Sequence, residues 1–527
     1  MHKINELELG SNDAENYKRS DSKELFNEIF LKDQNLEKLL QSNIFFLIGE
    51  KGTGKTAYAV FLANNEYKNT RSQIKFIRET QYQKFVKMKQ QKNLDLSDYS
   101  AIWRVIFLVL VAMNIKDSDI KSSFSKNAKL KAIKSAIDSY YHNAFSPEIS
   151  TVLQMVDNTK IAAELISKVA SVGMENSAST TFSETQLQTN LLFIERKLID
   201  SLQDLKLEFN QFLFIDGIDI RPSGIEYKEY LSCIKGLMDA VWSLNNDTFS
   251  QSNGSKGKVK IVALVRPDIF QEVGLQNSTN KIINNSVFLD WRTTYTEYPT
   301  SNLFKLADRL LTYNQDEKYE AENVGRFFNY YFNWEGETRI ESRGPDTPFV
   351  EFLRLSYSRP RDIVTIIQTM KNIQIQKKES MEHFSRNVFK SHEFNNAFSE
   401  YLMGGIKDHL AFYYTEDDYQ LLLHFISLFK DNATFSYDFY CENYDRFCNY
   451  VLEKAKDLPE FIEEKDRFLQ FLYDTNIICY IEPGPREPLY RWCYRERNLA
   501  NMAPKVKIGQ EYRFHYGLLK ALNLGPY

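Results

Sequence analysis

The chain has 527 residues, 43% of them hydrophobic and 14% aromatic, with 26% charged residues and a formal net charge of −4. This length exceeds one core and suggests about three or four domains, and the apolar fraction excludes a wholly disordered chain. The near-neutral balance supplies no global field toward nucleic acid or membrane, so any such binding requires a local patch.

Residues 1–43 open polar and acidic, with no apolar signal core. They then carry Leu25, Ile29, Phe30, Leu36, Leu39 and Leu40 at helical spacing, an N-terminal helical segment expected beside the first strand. Ile44 to Ile48 is a continuous apolar run, as in a strand buried on both faces of a parallel sheet. Directly after it, Gly49-Glu50-Lys51-Gly52-Thr53-Gly54-Lys55-Thr56 satisfies the pattern G-x-x-x-x-G-K-[ST], and the residues from Thr56 through Ala57 to Asn64 read as a helix. The glycines let successive amides converge on one phosphate at a helix N-terminus. Lys55 is expected between β and γ phosphates, and Thr56 on Mg²⁺. Gly49 to Ala57 are thus the candidate contacts to ATP. No guanine-reading motif competes with that assignment.

Ile74 to Ile77 reads as a second strand. A helical block, 81–207, follows, with helices expected at Tyr99–Met113, Leu130–Tyr141, Ile149–Val172 and Gln186–Leu205, and a polar loop at Gly173–Glu184. Its most apolar stretch, Ile102 to Ile115, is too short for a membrane span and contains Arg104. Phe212 to Ile215 is a strand delivering Asp216, the arrangement that holds Mg²⁺ near the loop threonine. The helix Tyr227–Leu244 and strands at Lys260–Val265 and Val287–Leu289 complete a doubly wound α/β core over 44–80 and 208–295, with 81–207 as a helical insertion. Residues 296–378 form a helical lid, in which Arg359-Pro360-Arg361-Asp362 begins the helix Ile363–Met370. In 379–527, helices precede strands at Asn476–Ile481 and Leu489–Tyr494 around a Gly/Pro turn, a winged-helix-like order.

Around the nucleotide, Gly217 stands where many P-loop ATPases place a glutamate, so Asp219 is the candidate for orienting or deprotonating water. An Asx-turn or helix cap is its structural alternative. Arg266, at a strand tip, and Arg361, at a helix start, are candidates for the γ-phosphate, with surface ion pairs as the alternative. Arg292, Arg309 and Arg359 are weaker candidates for a finger acting across a subunit contact. The C-terminal stretch mixes Arg486, Arg491, Arg495, Arg497, Lys505 and Lys507 with Tyr490, Trp492 and Tyr494. Arg491, Arg495, Arg497, Lys505 and Lys507 are candidate nucleic-acid contacts, unless the aromatics fill the domain's own core and the arginines solvate it. The cysteines Cys233, Cys441, Cys448, Cys479 and Cys493 show no zinc spacing, and buried, reduced thiols in a cytoplasmic protein are expected.

The segments GEKGTGKT, FLFIDGID, VALVRP and SRPRD resemble the signalling and origin-recognition branch of AAA+ ATPases, which includes the STAND and NACHT switch proteins and the Orc/Cdc6 proteins. Within that branch the chain is similar to a poorly characterised bacterial P-loop ATPase family often met in mobile islands and phage-defence loci. Leu9–Glu15 (LGSNDAE), Lys51–Ala57 (KGTGKTA), IDGID and Arg513–Lys520 (RFHYGLLK) carry that similarity. The resemblance implies Arg266 in the sensor 1 position and Arg361 in the sensor 2 position. It further implies an ATP-hydrolysing switch that couples nucleotide state to a protein partner or homo-oligomer, and a role in antiviral defence. Two departures, an arginine at sensor 1 and Ile220 where NACHT proteins carry a glutamate, point to slow or partner-stimulated hydrolysis. The alternatives are a DNA-binding ATPase of the Orc/Cdc6 type, using its basic winged helix, and a scaffold that holds nucleotide without turnover.

Overall fold

The computed structural model describes residues 1–77, 96–121, 184–203, 205–222, 224–251, 256–274, 284–315, 322–337, 346–454, 458–485 and 487–524. By internal contacts the chain divides into two compact units, one of Gln34–Gly49 and Lys55–Val287, the other of Met1–Asp33, Glu50–Gly54 and Phe288–Tyr527. The glycine-rich loop is divided with it: Glu50–Gly54 group with the second unit.

The first unit is built on a five-stranded parallel sheet of order β2-β3-β4-β1-β5, from β1 (Phe46–Ile48), β2 (Thr70–Phe76), β3 (Asn210–Asp216), β4 (Val259–Val265) and β5 (Ser286–Phe288). The central strands β1, β3 and β4 are near-continuous apolar runs because helices cover both sheet faces. Strand β2, at the edge, is longer than the Ile74–Ile77 expected. Its polar Arg71, Gln73 and Lys75 conceal a strand that pairs with β3 from Thr70↔Asn210 to Phe76↔Asp216. The helices of this unit are α1 (Gln34–Leu39), α2 (Lys55–Asn64), α3 (Leu96–Asn114), α4 (Glu184–Gln203), α5 (Tyr227–Ser243) and α6 (Pro267–Val273).

Helices α3 and α4 fall within the block read as an insertion. Here α3 lies on the sheet, with Trp103, Ile106, Phe107 and Leu110 facing Ile77 and Ile215. Its other partner is α5: the Trp103 indole donates to the Cys233 carbonyl at 3.2 Å and the Ser100 hydroxyl to Asp239 at 2.8 Å. Gly236 makes this approach possible, since a Cβ there would stand 2.5 Å from Tyr99 Cβ and 3.0 Å from the Ser100 amide. Helix α4 joins the layer through the Arg104–Glu195 ion pair. The helices expected at Leu130–Tyr141 and Ile149–Val172, and the loop expected from Gly173, lie outside the described residues. At the opposite end of β4, the buried Lys260 ammonium donates to the Leu39 and Gln41 carbonyls, each at 2.7 Å, closing the C-terminus of α1.

The second unit has a helical part and a mixed part. Helices α7 (Asn302–Arg309), α8 (Arg326–Tyr331), α9 (Pro348–Leu355) and α10 (Pro360–Lys377) enclose an aromatic cluster of Phe304, Phe328, Phe332, Phe349, Phe352 and Phe384. Asp308 is buried there and accepts from the Gly325 and Phe328 amides at 2.9 and 2.7 Å, capping α8. Met1–Asp33 belongs to this unit: the Ile4 amide donates to the Met381 carbonyl at 2.8 Å, and Gln368 to the Gly10 carbonyl at 2.7 Å.

The mixed part runs α11 (His392–Leu410), α12 (Glu416–Ser427), β6 (Thr434–Ser436), α13 (Tyr437–Lys454), α14 (Lys465–Asp474), β7 (Ile478–Glu482), β8 (Leu489–Trp492) and β9 (Glu511–Phe514). The expected hairpin is β7–β8. It belongs to a four-stranded antiparallel sheet of order β6-β9-β7-β8, in which β9 pairs with both β6 and β7. Cys479 and Cys493 are each buried in this unit, and Cys441 and Cys448 on α13 are half-exposed. Among the described residues no helix is long and apolar enough to cross a membrane.

Gly236→Val drives methyl groups into Tyr99 and the α3 backbone and should cost about 2 kcal/mol or more, read as a lower urea midpoint. His515, buried against the Tyr357 and Trp492 rings at 4.5 and 4.8 Å, has its pKa pushed down to about 3 by burial and then by Arg495 and Arg359. The folded state therefore binds fewer protons than the unfolded one below pH ~6.5, so this contribution to stability is lost as pH falls, at up to about 1.4 kcal/mol per pH unit. Melting curves at pH 7 and 5 should show a smaller acid loss in His515→Gln than in wild type.

Candidate nucleotide site

Strand register sets the site. Ile48 of β1 lies opposite Val265 of β4, and Ala263 of β4 opposite Ile215 of β3. Gly49, Asp216 and Arg266 therefore leave the sheet at the C-terminal ends of three adjacent strands, where open α/β sheets bind ligands.

In this unit Lys55 begins α2, and its Nζ, largely buried, donates to the Gly49 carbonyl at 2.8 Å. Thr56 follows, and its hydroxyl donates to Asp216 Oδ2 at 2.7 Å. The second Asp216 oxygen accepts from the Gly217 amide at 2.8 Å. Burial raises the Asp216 pKa, and the neighbouring charge of Asp219 raises it further. Gly217 has φ +90°, and a Cβ would lie 2.4 Å from the Ile77 carbonyl oxygen; a glutamate at this position is sterically excluded. The next turn carries Asp219, half-buried, and is braced by the Tyr230 hydroxyl, 2.9 and 2.8 Å from the Ile218 and Ile220 carbonyl oxygens. Tyr230 escaped the sequence reading because nothing in a helical Tyr signals a contact back to a strand-end turn. Arg266, only 1% exposed, caps α6 and makes a two-point ion pair with Asp268. Its pair is interior, not the surface pair weighed as the alternative.

In the second unit, loop residues Gly52 and Gly54 have φ of +90° and +93°, left-handed geometry that favours glycine. The Thr53 amide and hydroxyl both donate to the Glu50 carbonyl, at 3.2 and 2.8 Å. The remaining loop carbonyls are held from outside. Arg359 Nη1 donates to Lys51 O at 2.9 Å, the Arg361 amide to Gly52 O at 3.2 Å, and the Trp291 indole to Thr53 O at 2.9 Å. Side chains are engaged too: Lys51 Nζ with Asp408 at 2.6 Å, and Glu50 in an ion pair with Arg497. Arg359 is itself fixed. Its Nε and Nη2 grip Asp362, which also accepts from Tyr401 Oη and the Tyr357 amide, each at 2.9 Å. The Arg361 side chain donates to the Asn12 carbonyl at 3.1 Å. Among the finger candidates, Arg292 pairs with Asp290 and donates to the Arg495 carbonyl, and Arg309 donates to the Glu28 carbonyl.

Most cations of the basic C-terminal stretch are engaged within the unit. Arg497 is 6% exposed and paired with Glu50, so it lies inside the unit. Arg495 lies 5.1 Å from the Tyr295 ring centroid and donates to its hydroxyl at 3.1 Å. Arg491 and Lys507 both pair with Glu482, and Trp492 and Tyr494 are buried, so the aromatics do fill the domain core. Lys505 is exposed, and Arg486 lies outside the described residues. Charge interleaved with aromatics looks the same in sequence whether the cations face solvent or interior carboxylates.

No protein-family model matches the chain, and no curated protein matches it either.

Asp362 is fully buried, so Arg359→Met strands a carboxylate in the interior and should destabilise the chain by about 3–5 kcal/mol in chemical denaturation. Arg361→Ala removes a more exposed contact and should cost less than about 1 kcal/mol in the same assay.

Proposed function

We propose that the chain is an ATP-binding, slowly hydrolysing molecular switch with a P-loop core of the AAA+ STAND/NACHT and Orc/Cdc6-like branch. The observation that carries this reading is the 2.7 Å contact between Thr56 Oγ1 and Asp216 Oδ2, which joins the loop motif to the strand-end carboxylate across 160 positions. Lys55 supplies positive charge beside the β and γ phosphates, and the first-turn amides of α2, without acceptors inside their own helix, face the same place.

The donor chemistry fits Mg²⁺. Thr56 and Asp216 offer hard oxygens, and among the described residues no group of three or more His, Cys, Asp or Glu side chains is poised to enclose a metal. A cation held by one hydroxyl and one carboxylate needs phosphate oxygens and water to complete six ligands, which is how Mg²⁺ is usually bound. When bound it offsets the charge on the phosphate oxygens. Asp219, on the turn braced by Tyr230, orients the attacking water or accepts its proton. The order helix, strand, helix, helix, hairpin over α12 to β8 supports a winged-helix-like C-terminal domain. Its role in the switch is to change partner or subunit contacts with nucleotide state, and the family resemblance adds antiviral defence as the setting. The interior position of Arg497 and the paired state of Arg491 and Lys507 favour protein contacts over DNA for this domain.

Nucleotide binding and γ-phosphate release test the reading. Lys55→Ala should weaken ATP binding at least about tenfold. Asp219→Asn should retain binding yet lose turnover by about 10²-fold or more, the usual contribution of a general base. Unchanged nucleotide affinity in Lys55→Ala overturns the assignment of the site.

A further inference from the structure

We propose that Arg497 is a positioning residue for nucleotide binding, acting on the glycine-rich loop through Glu50. The inference rests on the nucleotide reading of that loop and assigns it a control that the motif does not contain.

Glu50 is the first variable residue of the motif, and Arg497 lies 447 positions away, after the β7–β8 hairpin. Arg497 is well anchored. It caps the short helix Cys493–Glu496, its amide donates to the Cys493 carbonyl at 2.8 Å, its Nη2 lies 3.3 Å from Cys493 Sγ, and Asp474 at the end of α14 is 3.8 Å away. Two elements of the mixed part, the Cys493–Glu496 helix and α14, therefore fix the guanidinium, and Glu50 meets it in place. The loop side is less constrained by packing. A cavity of about 40 Å³ lies beside the pair, lined in part by Thr53, Tyr357 and Ser358. Tyr357 Oη, Ser358 Oγ and Arg497 Nε are buried there without a hydrogen-bond partner. Space of this size takes about two or three waters, not side chains. Charge pairing, rather than close packing, thus sets where Glu50 sits.

The Glu50 carbonyl accepts both the amide and the hydroxyl of Thr53, so the residue whose side chain Arg497 holds is also the acceptor that closes the loop turn. Holding Glu50 pre-orders the turn and removes part of the ordering cost from nucleotide binding. Arg497 acts through Glu50, whose side chain it holds. Its influence should appear in affinity and not in the rate of the bound complex.

The test is a double-mutant cycle on the full chain, titrating a fluorescent ATP analogue with Mg²⁺ into wild type, Glu50→Gln, Arg497→Gln, Arg497→Lys and the Glu50→Gln/Arg497→Gln double variant. Melting temperature is recorded without nucleotide. Each glutamine variant should raise Kd about tenfold, and the double variant no further than either single one, since both remove the same interaction. Arg497→Lys should recover most of the affinity, and turnover at saturating ATP should stay within about twofold of wild type in the Arg497 single variants. Arg497 is interior, so its glutamine variant is exposed to misfolding; Glu50→Gln, at a half-buried loop position, then decides alone. Affinity of Glu50→Gln equal to or tighter than wild type overturns the proposal, as does a double variant weakened by the product of the single effects. Lys55→Ala in the same titration separates the two failures: if it binds like wild type, the nucleotide reading falls, and if it does not while Glu50→Gln is silent, only the positioning role falls.

Discussion

The parallel register of β1, β4 and β3 is the constraint on which the site depends. Three apolar runs far apart in sequence pair so that Ile48, Val265 and Ile215 finish near one edge, and each is followed at once by a chemically useful residue. A shift of one position in any pairing would rotate these exits to opposite faces, because side chains alternate along a strand. The sheet is buried on both sides, which makes the register costly to alter and gives the short Thr56–Asp216 contact a fixed base. Helix α3, resting on the sheet and on α5 through the space at Gly236, contributes to that base as well.

The sequence displayed the parts of this arrangement that are locally encoded. Continuous apolar runs mark β1, β3 and β4, and the glycine spacing marks the loop, since both are properties of a few consecutive residues. Strand β2 was half visible, because its outer positions are polar at the sheet edge. Strands β6 and β9 were not visible: each is short, and each exists only because the other and β7 supply partners from far along the chain. The same distinction explains the arginines. Arg266 and Asp268 are neighbours, yet nothing local says that their pair is interior. The resemblance singles out Arg361, whereas burial and the Asp362 carboxylate make Arg359 the one whose guanidinium donates to a loop carbonyl. Arg497 read as a surface cation because its acceptor, Glu50, stands near the other end of the chain.

Two connected sets of charges in the second unit lie at that loop. Arg359, Asp362, Tyr401 and the Tyr357 amide form one connected set, and Arg497, Glu50 and Asp474 another. Buried ion pairs of this kind are poor sources of stability, because desolvation offsets most of the attraction. What they provide is geometry, since the charges tolerate only arrangements in which every partner is met. That property suits a backbone segment whose glycines would otherwise leave it free to take many conformations.

The direction of these contacts also has meaning. A trans peptide points its carbonyl and its amide in opposite directions. Arg359 holds the Lys51 carbonyl and Trp291 the Thr53 carbonyl, so the amides of Gly52 and Gly54, which share those peptide groups, are turned the other way. The left-handed φ angles of Gly52 and Gly54 are those of the turns from which concave backbone arrangements that receive anions are built. Outward carbonyls fixed by an arginine and an indole therefore specify inward amides. On the nucleotide reading proposed above, Trp291 and Arg359, which lie outside the motif, set the direction of the loop amides as much as the glycines that define it.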